Sequence, residues 1–578
     1  MAMVNSGSDR KMVRRSLAIW LALIALGWFY LIPKYLTAQD KKEEAKPAAV
    51  EAPKAPEPAQ AAPAAKPDPN GGNTGDAALL GEFNVSEPTD KKDPEYAKKK
   101  ADYDAFKAQN DKEPLAAKLA VSVGKNRAGI NMSWTLITGF LVMFMQCGFA
   151  MVETGLTRAK NVAHTMAMNF MIYPLGMLGF YVCGFAFMFG GATNVATMGG
   201  ASVMTHMWDI NGWNILGTSG FFLSGDYYDV TVYAIFFFQM VFMDTTATIP
   251  TGACAERWKF PAFVLYGIAV GTIMYPIYGN WVWGGGWCSQ LGSKLGLGHG
   301  TVDFAGSSVV HLQGGIIAFI FAKLMGARVG KFNKDGSANP IPAHNVPMVV
   351  LGTFVLAFGW FGFNPGGSLA GTDLRNAMSV VNTMLASATG AAAATIWVWK
   401  IRGSKPDPTM MCNGMLAGLV AITAPCAFVD SKGACLIGLI AGIIVVEVVF
   451  FVERKLKIDD PVGAIAVHGA NGLWGVLSIG FFADGKYGDG LNGVSGFGVQ
   501  GLFYGGGMNQ LIAQSIGAAA CIVYVSIISV VVYKVIGALV GHRPSKEAEV
   551  EGLDIPEMGV IGYCGMVMDK ASESPVSR

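Results

Sequence analysis

Long apolar runs dominate this chain of 578 residues and recur from the N-terminus almost to the C-terminus. Each holds roughly 20 residues, the length that a helix needs to cross about 30 Å of hydrocarbon. Shorter segments rich in Gly, Pro and charged residues separate the runs. We predict membrane-crossing helices near residues 16–34, 133–157, 165–191, 228–252, 258–283, 304–325, 345–370, 376–399, 409–429, 434–452, 463–482 and 509–538.

Composition agrees with this pattern, since 52% of the residues are hydrophobic and only 15% are charged. An ordinary soluble domain carries about 25% charged residues, so a soluble enzyme is not expected. The predicted fold class is an all-α polytopic membrane protein with eleven transmembrane helices, preceded by a signal/anchor segment and a disordered arm.

The N-terminal part of the chain is organised differently. A basic stretch from Arg10 to Arg15 precedes an apolar run, so residues 1–39 are predicted as a signal peptide or a retained signal anchor. Residues 40–130 are rich in Ala, Pro and Lys and cannot bury a core, which predicts a low-complexity periplasmic arm with one surface helix at most. The membrane domain is predicted at 131–540 and a C-terminal tail at 541–578.

Lys and Arg are distributed unevenly over the loops between the eleven predicted helices. One set of alternate loops holds 14 of them and the other set holds 4. Because basic residues are retained on the cytoplasmic side, the first set is predicted to be cytoplasmic. With eleven helices the arm then lies outside and the tail inside, in a multi-pass protein of the cell inner membrane.

Two segments of the membrane domain are similar to each other. Five residues recur at the same spacing, offset by 157 positions, in 303–315 (DFAGSSVVHLQGG) and 460–472 (DPVGAIAVHGANG). The first segment opens the fifth helix of the domain and the second opens the tenth, so the repeated unit has five helices. An odd number of helices inverts the second copy, which predicts a five-plus-five inverted repeat.

Each copy of the repeat carries one histidine, His311 or His468. Asp303 and Asp460 are predicted to cap the two helices, Asp303 as a structural residue near the outer mouth. Each histidine then lies about 12 Å along its helix, so the inverted copies bring both imidazoles to the membrane centre. A single buried histidine more often satisfies a packing hydrogen bond, but a pair at related depth favours a substrate or proton pathway.

Aromatic side chains supply the second candidate feature. Phe238 and Phe242 fall in the outer half of the third helix, Trp283 in VWGGG and Phe363 in GWFGFN. Aromatic faces bind cations, an interaction worth about 2 kcal/mol or more when desolvated. The alternative for such residues, above all for Trp283, is an interfacial belt that anchors the helices.

Seven motifs resemble the ammonium transporter (Amt/Rh) family. They are RAKN at 158–161, ACAER at 253–257, VWGGG at 282–286, DFAGSSVVH at 303–311, GWFGFNPGG at 359–367, DDPVGAIAVHG at 459–469 and EGLDIPEMG at 551–559. The resemblance covers about 131–565, and Trp283 favours the ammonium transporter (Amt) branch. It implies transport of ammonium or ammonia across the inner membrane, with a Rh-like neutral gas channel and an ammonium sensor of little flux as alternatives.

The resemblance also implies roles for individual residues. The serine of the recruitment site corresponds to Ser368, which here follows one more glycine than the family's pattern has. The assigned roles are substrate binding by Trp283, Phe238 and Ser368, a gate of Phe242 and Phe363, and a pore lining of His311 and His468.

The expected partners follow from the same resemblance. It implies a homotrimer with one pore per subunit and a cytoplasmic tail that communicates between subunits and can be blocked by a PII-type regulatory protein. Membrane lipid is the other expected contact, and no nucleic acid, cofactor or metal is expected. The nine cysteines show no spacing typical of a disulfide framework or a metal site.

Overall fold

The computed structural model describes residues 87–88, 96–190 and 206–563. The signal or anchor segment predicted at 1–39 lies outside the described residues, as do most of the predicted arm and the last part of the tail. Helix predominates in the described part, and the strands β1 (Met207–Ile210) and β2 (Trp213–Gly217) form one antiparallel hairpin in it.

The α-helices of the described residues vary widely in length. In chain order they are α1 (Tyr96–Lys112), α2 (Pro114–Leu156), α3 (Val162–Gly179), α4 (Phe185–Phe189), α5 (Val230–Cys254), α6 (Phe260–Ala269), α7 (Tyr275–Val282), α8 (Leu291–Leu295), α9 (Gln313–Met325), α10 (Val346–Gly366), α11 (Arg375–Ile396), α12 (Pro408–Thr423), α13 (Ser431–Arg454), α14 (Asn471–Phe482), α15 (Asn509–Val540), α16 (Lys546–Glu551) and α17 (Asp554–Met558). Segments of π-helix adjoin them at Phe180–Gly184, Val270–Met274, Ser307–Leu312, Trp397–Ile401 and Ile465–Ala470.

Ten helical runs among the described residues are apolar and long enough to cross a bilayer. They are Val121–Leu156, Ala159–Phe189, Val230–Cys254, Phe260–Val282, Ser307–Met325, Val346–Gly366, Arg375–Ile401, Ser431–Arg454, Ile465–Phe482 and Asn509–Val540. The shorter apolar helix α12 falls between the seventh and the eighth. The all-α polytopic fold is thereby confirmed, and the predicted number of eleven helices depends on α12.

The first membrane helix begins earlier than the apolar pattern predicted. Helix α2 starts at Pro114, so it continues back into residues that composition assigned to the arm. Proline is tolerated there because the first helical position needs no backbone N–H. Helix α1 precedes it, and its described side chains are mostly exposed.

The two repeat segments form the same loop before each histidine helix because of residues that they share. Asp303 Oδ1 accepts a hydrogen bond from Gly306 N at 2.7 Å, and Asp460 Oδ1 accepts one from Gly463 N at 3.0 Å. Both glycines have positive φ, 114° and 79°, which residues with a Cβ rarely adopt. The aspartate and the glycine therefore recur because together they close the same loop before each histidine helix.

This loop also shifts the start of both helices. The helical segments begin at Ser307 and at about Ile465, later than the predicted starts near 304 and 463. Pro461 consequently lies in the loop and not in the first turn of the helix, where the sequence placed it.

The glycine that ends each copy of the repeat lets the two copies cross closely. A Cβ at Gly315 would lie 2.2 Å from the backbone N of Gly469, and a Cβ at Gly472 would lie 2.5 Å from that of Leu312. Positions 312 and 469 are themselves equivalent in the repeat, so the two contacts are related by its symmetry. Backbone contact at this crossing brings together the residues that precede it, including both histidines.

The residues after α15 pack against one end of the helix bundle, which we call the tail end. Glu549 Oε1 accepts a hydrogen bond from Val329 N at 2.7 Å, and Asp554 Oδ1 accepts one from His164 N at 2.9 Å. Leu553 N donates to Asn161 Oδ1 at 2.9 Å. The motifs RAKN and EGLDIPEMG, almost 400 residues apart, are therefore in contact.

A buried ion cluster lies at the tail end. Glu256 accepts hydrogen bonds from the side chains of Arg158 and Arg328, and Arg328 also forms a two-atom contact with Asp459 at 2.8 and 2.9 Å. Burial by itself would raise the pKa of Asp459, but Arg328 and Arg257 outweigh it and hold that pKa well below its ordinary value. The cluster thus joins four interhelical loops by charge.

Candidate substrate pathway

A cavity of about 760 Å³ opens at the end of the bundle opposite the tail, which we call the pocket end. Phe238, Trp283, Asp303 and Ser368 line it. The structure therefore brings to one cavity three residues that the sequence assigned to substrate binding and the aspartate predicted near its mouth. An apolar cavity with a few polar groups is the usual form of a small-ligand site.

Trp283 lies directly after α7 and is held by two contacts. Its Nε1–H donates to the backbone O of Asp303 at 2.6 Å. Its ring meets that of Phe242 edge-on, with ring centroids 6.0 Å apart and planes at 74°. The indole is half-buried and lines the cavity in a fixed position.

Asp303 uses both carboxylate oxygens to hold the loop before the first histidine helix. The oxygens accept hydrogen bonds from the backbone N–H groups of residues 306 to 309 and from the Ser308 hydroxyl. Burial raises the pKa of Asp303, and these hydrogen bonds oppose the rise. The sequence predicted Asp303 as the cap of this helix; its carboxylate instead binds the first N–H groups from the loop three residues before the N-cap, Gly306. The backbone O of Asp303 positions Trp283.

Two polar side chains line the cavity beside the aromatic rings. Ser368 lines the cavity; its Oγ donates to Pro365 O at 2.9 Å and accepts from Ala370 N at 3.3 Å. Gln239 is 8% exposed, and its Oε1 has no hydrogen-bond partner among the described residues. Sequence reasoning missed Gln239, although one polar residue inside the apolar run FFFQMVF was a usable signal.

Stacked phenylalanine rings close the floor of the cavity. The ring centroids of Phe238 and Phe242 are 4.6 Å apart, and those of Phe242 and Phe363 are 4.1 Å apart with planes at 24°. Phe242 is 1% exposed and Phe363 is not exposed at all. The two residues assigned to a gate therefore form a closed stack between the cavity and the interior.

The histidine pair follows directly beyond this stack. The ring of Phe363 stacks on that of His311 at 5.5 Å, and Nδ1 of His311 lies 3.1 Å from Nδ1 of His468. Only one of these two nitrogens can carry the shared proton when both rings are neutral. The pair then keeps one Nε2–H and one Nε2 lone pair, so it can accept a proton at the bare nitrogen and release one from the other, with a positive charge only while the proton is in transit.

These features together define a class of protein. A bundle of membrane-length helices contains a cavity at one end, a closed aromatic stack beneath it and a buried histidine pair beyond. This arrangement is that of a membrane transport protein.

Comparison with known proteins identifies the family. The chain belongs to the Ammonium Transporter Family, whose profile matches residues 133–563. It is 44% identical over 440 residues to Ammonium transporter Amt2 of Archaeoglobus fulgidus, covering 76% of this chain and 89% of that protein. The resemblance to the Amt branch is thereby confirmed.

Solved structures agree with this assignment. A structure described as a Sensor Amt Protein superposes with a TM-score of 0.64 at 35% identity, over 75% of this chain and 99% of that one. Mep2 of Candida albicans superposes with a TM-score of 0.60 at 25% identity, over 72% and 86%.

Proposed function

We propose that this protein transports ammonium across the cell inner membrane by binding the ion in the cavity at the pocket end, deprotonating it and passing ammonia along the histidine pair. The observation that carries this proposal is the unbroken series of rings from Trp283 through Phe242, Phe363 and His311 to His468. Membership of the Ammonium Transporter Family supports the choice of substrate.

The cavity supplies what a small cation needs on leaving water. The faces of Trp283 and Phe238 attract a positive charge, by about 2 kcal/mol or more once the ion is desolvated. Ammonium carries four N–H donors, and the oxygens of Ser368 and Gln239 are acceptors at the same cavity wall. Potassium has no donors, so the acceptors and the ring geometry together favour ammonium.

The closed stack of Phe242 and Phe363 explains why the ion must give up its proton. An isolated charge in a dry apolar passage is far more costly than a neutral polar molecule. Ammonium can become neutral by losing one proton, whereas potassium and sodium cannot. Beyond the stack, the bare Nε2 of the histidine pair can accept a hydrogen bond from ammonia.

Proteoliposomes test the proposal directly. We expect the purified protein to take up labelled methylammonium, with saturation and with competition by ammonium. Phe363→Ala and His311→Ala should alter uptake, since they open the stack and break the pair. Uptake no faster than in protein-free liposomes, with correctly assembled protein, would overturn the proposal.

A second candidate function is ammonium sensing with little flux. The similarity to a Sensor Amt Protein over 99% of that chain favours it, and the docked tail is an element that could report binding. A sensor would show ammonium-dependent change in the protease sensitivity of residues 541–563 without uptake. Uptake in liposomes decides in favour of the transporter, and neutral ammonia flux without saturation decides in favour of a gas channel.

Assembly, orientation and regulation complete the proposal. We propose a homotrimer with one pathway per subunit. We also propose that the arm lies outside and the tail lies in the cytoplasm, because the basic loops gather at the tail end. The docked tail is the surface on which a PII-type protein would act. Native mass spectrometry of the detergent-purified protein tests the trimer, and a monomeric mass under conditions that retain transport would contradict it.

A further inference from the structure

One buried carboxylate on the tail side of the histidine pair has no part in the pathway described so far. Glu153 lies near the C-terminal end of α2 and is 3% exposed. It lines a small cavity of about 20 Å³ together with His468, Phe149 and Val467. Ionisable side chains inside a membrane protein are costly and usually mark a substrate or proton path.

The contacts of Glu153 position its carboxylate without neutralising it. Oε2 accepts hydrogen bonds from Asn169 Nδ2 at 2.7 Å and from Thr251 Oγ1 at 2.6 Å. Thr248 Oγ1 in turn donates to Asn169 Oδ1 at 3.1 Å, which fixes the amide. Within the part of the chain that the structure describes, neither oxygen of Glu153 forms an ion pair. A carboxylate held by neutral donors is oriented and can still take up a proton.

Apart from His468, the other titratable groups near Glu153 among the described residues neither neutralise its charge nor line the small cavity. Asp460, Cys254 and Tyr266 interact with it electrostatically, and none of them is a cation. The nearby arginines at the tail end are engaged, since Arg158 and Arg328 both donate to Glu256. Asp460 has its oxygens on backbone N–H groups and does not line the small cavity.

We propose that Glu153 is the proton-transfer residue on the tail side of the histidine pair and returns the proton to ammonia before release. This inference rests on the proposed function. The proton that ammonium loses at the pocket end passes by way of the histidines to the Glu153 carboxylate, which becomes a carboxylic acid. The acid then gives this proton to the lone pair of ammonia, which forms ammonium and restores the carboxylate. One ammonium ion and one positive charge cross per cycle.

A purely structural role for Glu153 is the competing explanation, since its hydrogen bonds join α2 to α3 and α5. Glu153→Gln distinguishes the structural role from proton transfer. The amide oxygen of Gln can still accept hydrogen bonds from Asn169 and Thr251, but the amide cannot take up and release a proton as a carboxylate does. Glu447→Gln is the matched control. Glu447 lies in the membrane helix α13, is bonded to Arg402 and Trp397, and lines neither cavity.

The experiment records two quantities from proteoliposomes after an ammonium pulse. Solid-supported-membrane current reports charge movement, and an enclosed pH dye reports entry of neutral ammonia. We expect Glu153→Gln to lower the current at least tenfold while ammonia entry and the half-saturation concentration remain. Glu447→Gln should keep the wild-type current. Wild-type current in assembled Glu153→Gln protein would overturn the proposal and leave the structural role.

Other outcomes are equally decisive. Saturable ammonia entry without current in the wild type would overturn the Glu153 proposal and leave ammonium binding and deprotonation standing. Neither signal, or ammonia entry without saturation, would overturn the proposed function itself. If Glu153→Gln does not assemble, Glu153→Asp decides, because it keeps a carboxylate. We expect assembled Glu153→Asp protein to retain current within about tenfold of wild type, and absence of current would overturn the proposal.

Discussion

Gly315→Ala tests whether the backbone crossing of the two repeat copies sets the geometry of the histidine pair. A Cβ at this position would lie 2.2 Å from N and 2.3 Å from Cα of Gly469. Both atoms belong to the backbone, so no side-chain rotation can relieve the contact. To reach ordinary van der Waals contact the two helices must separate by roughly 1 Å.

The expected loss of stability follows from two opposing contributions. Overpacking a close helix contact costs about 1–3 kcal/mol. Alanine favours helix over glycine by about 1 kcal/mol. The net destabilisation is therefore up to about 2 kcal/mol, and the melting temperature of the assembled protein should fall.

The effect on transport comes from the histidines. A separation of about 1 Å stretches the 3.1 Å contact between the two Nδ1 atoms beyond hydrogen-bond length. A net hydrogen bond is worth about 0.5–1.5 kcal/mol, so transport should slow by about two- to tenfold. Ammonium-induced current per amount of assembled protein measures the rate.

Gly129→Ala is the matched control for this variant. A Cβ at Gly129 in α2 would meet no atom within 4 Å, so stability should be unchanged or slightly raised and current unchanged. The reasoning is refuted if assembled Gly315→Ala protein matches Gly129→Ala in both melting temperature and current.

Three further predictions concern the cavity, the ion cluster and the arm. Trp283→Leu should raise the half-saturation concentration by up to roughly 30-fold through loss of about 2 kcal/mol of cation attraction, whereas Trp281→Leu, whose indole donates to Ile215 O outside the cavity, should leave it unchanged. Asp459→Asn should lower the melting temperature near neutral pH, because Arg328 loses one of its two buried carboxylate partners and keeps only Glu256, at up to about 3–5 kcal/mol. Because the folded-state pKa of Asp459 is lowered, that stabilisation is present above about pH 4 and lost as the pH falls further, so melting curves of wild type and variant should converge in acid. Deleting residues 40 to 113 behind an intact N-terminal segment should leave methylammonium uptake per amount of assembled protein unchanged, since α2 begins at Pro114, and a loss with normal assembly would contradict this.

The order and class of the helices were predictable because the membrane imposes a length and an apolar composition on each one. The repeat also predicted that His311 and His468 lie close together, since a shared offset of 157 residues and an odd number of helices per copy leave few other arrangements. The sequence pattern was less accurate for helix ends that local hydrogen bonds determine. The start of each histidine helix depends on an aspartate closing a loop through a glycine of positive φ, and apolar pattern does not register this.

Other parts of the site depend on contacts between distant segments and could not be predicted from the sequence. Gln239 stands out in the sequence as one polar residue in an apolar run, but only its position in the cavity wall shows that it belongs to the site. Glu153 is close to the motif RAKN in sequence, but its relation to His468 arises from the packing of α2 against the second repeat copy. Burial of a charged residue becomes informative only once its partners are known.

The most direct test of the account is the charge moved by wild-type protein in liposomes when ammonium and potassium pulses of equal concentration are compared. The account predicts a saturable current with ammonium and none with potassium, because only ammonium can cross the closed phenylalanine stack by giving up its proton. Equal currents for both ions would show that the passage conducts ions without deprotonation. That result would contradict the pathway proposed for Phe242, Phe363 and the histidine pair.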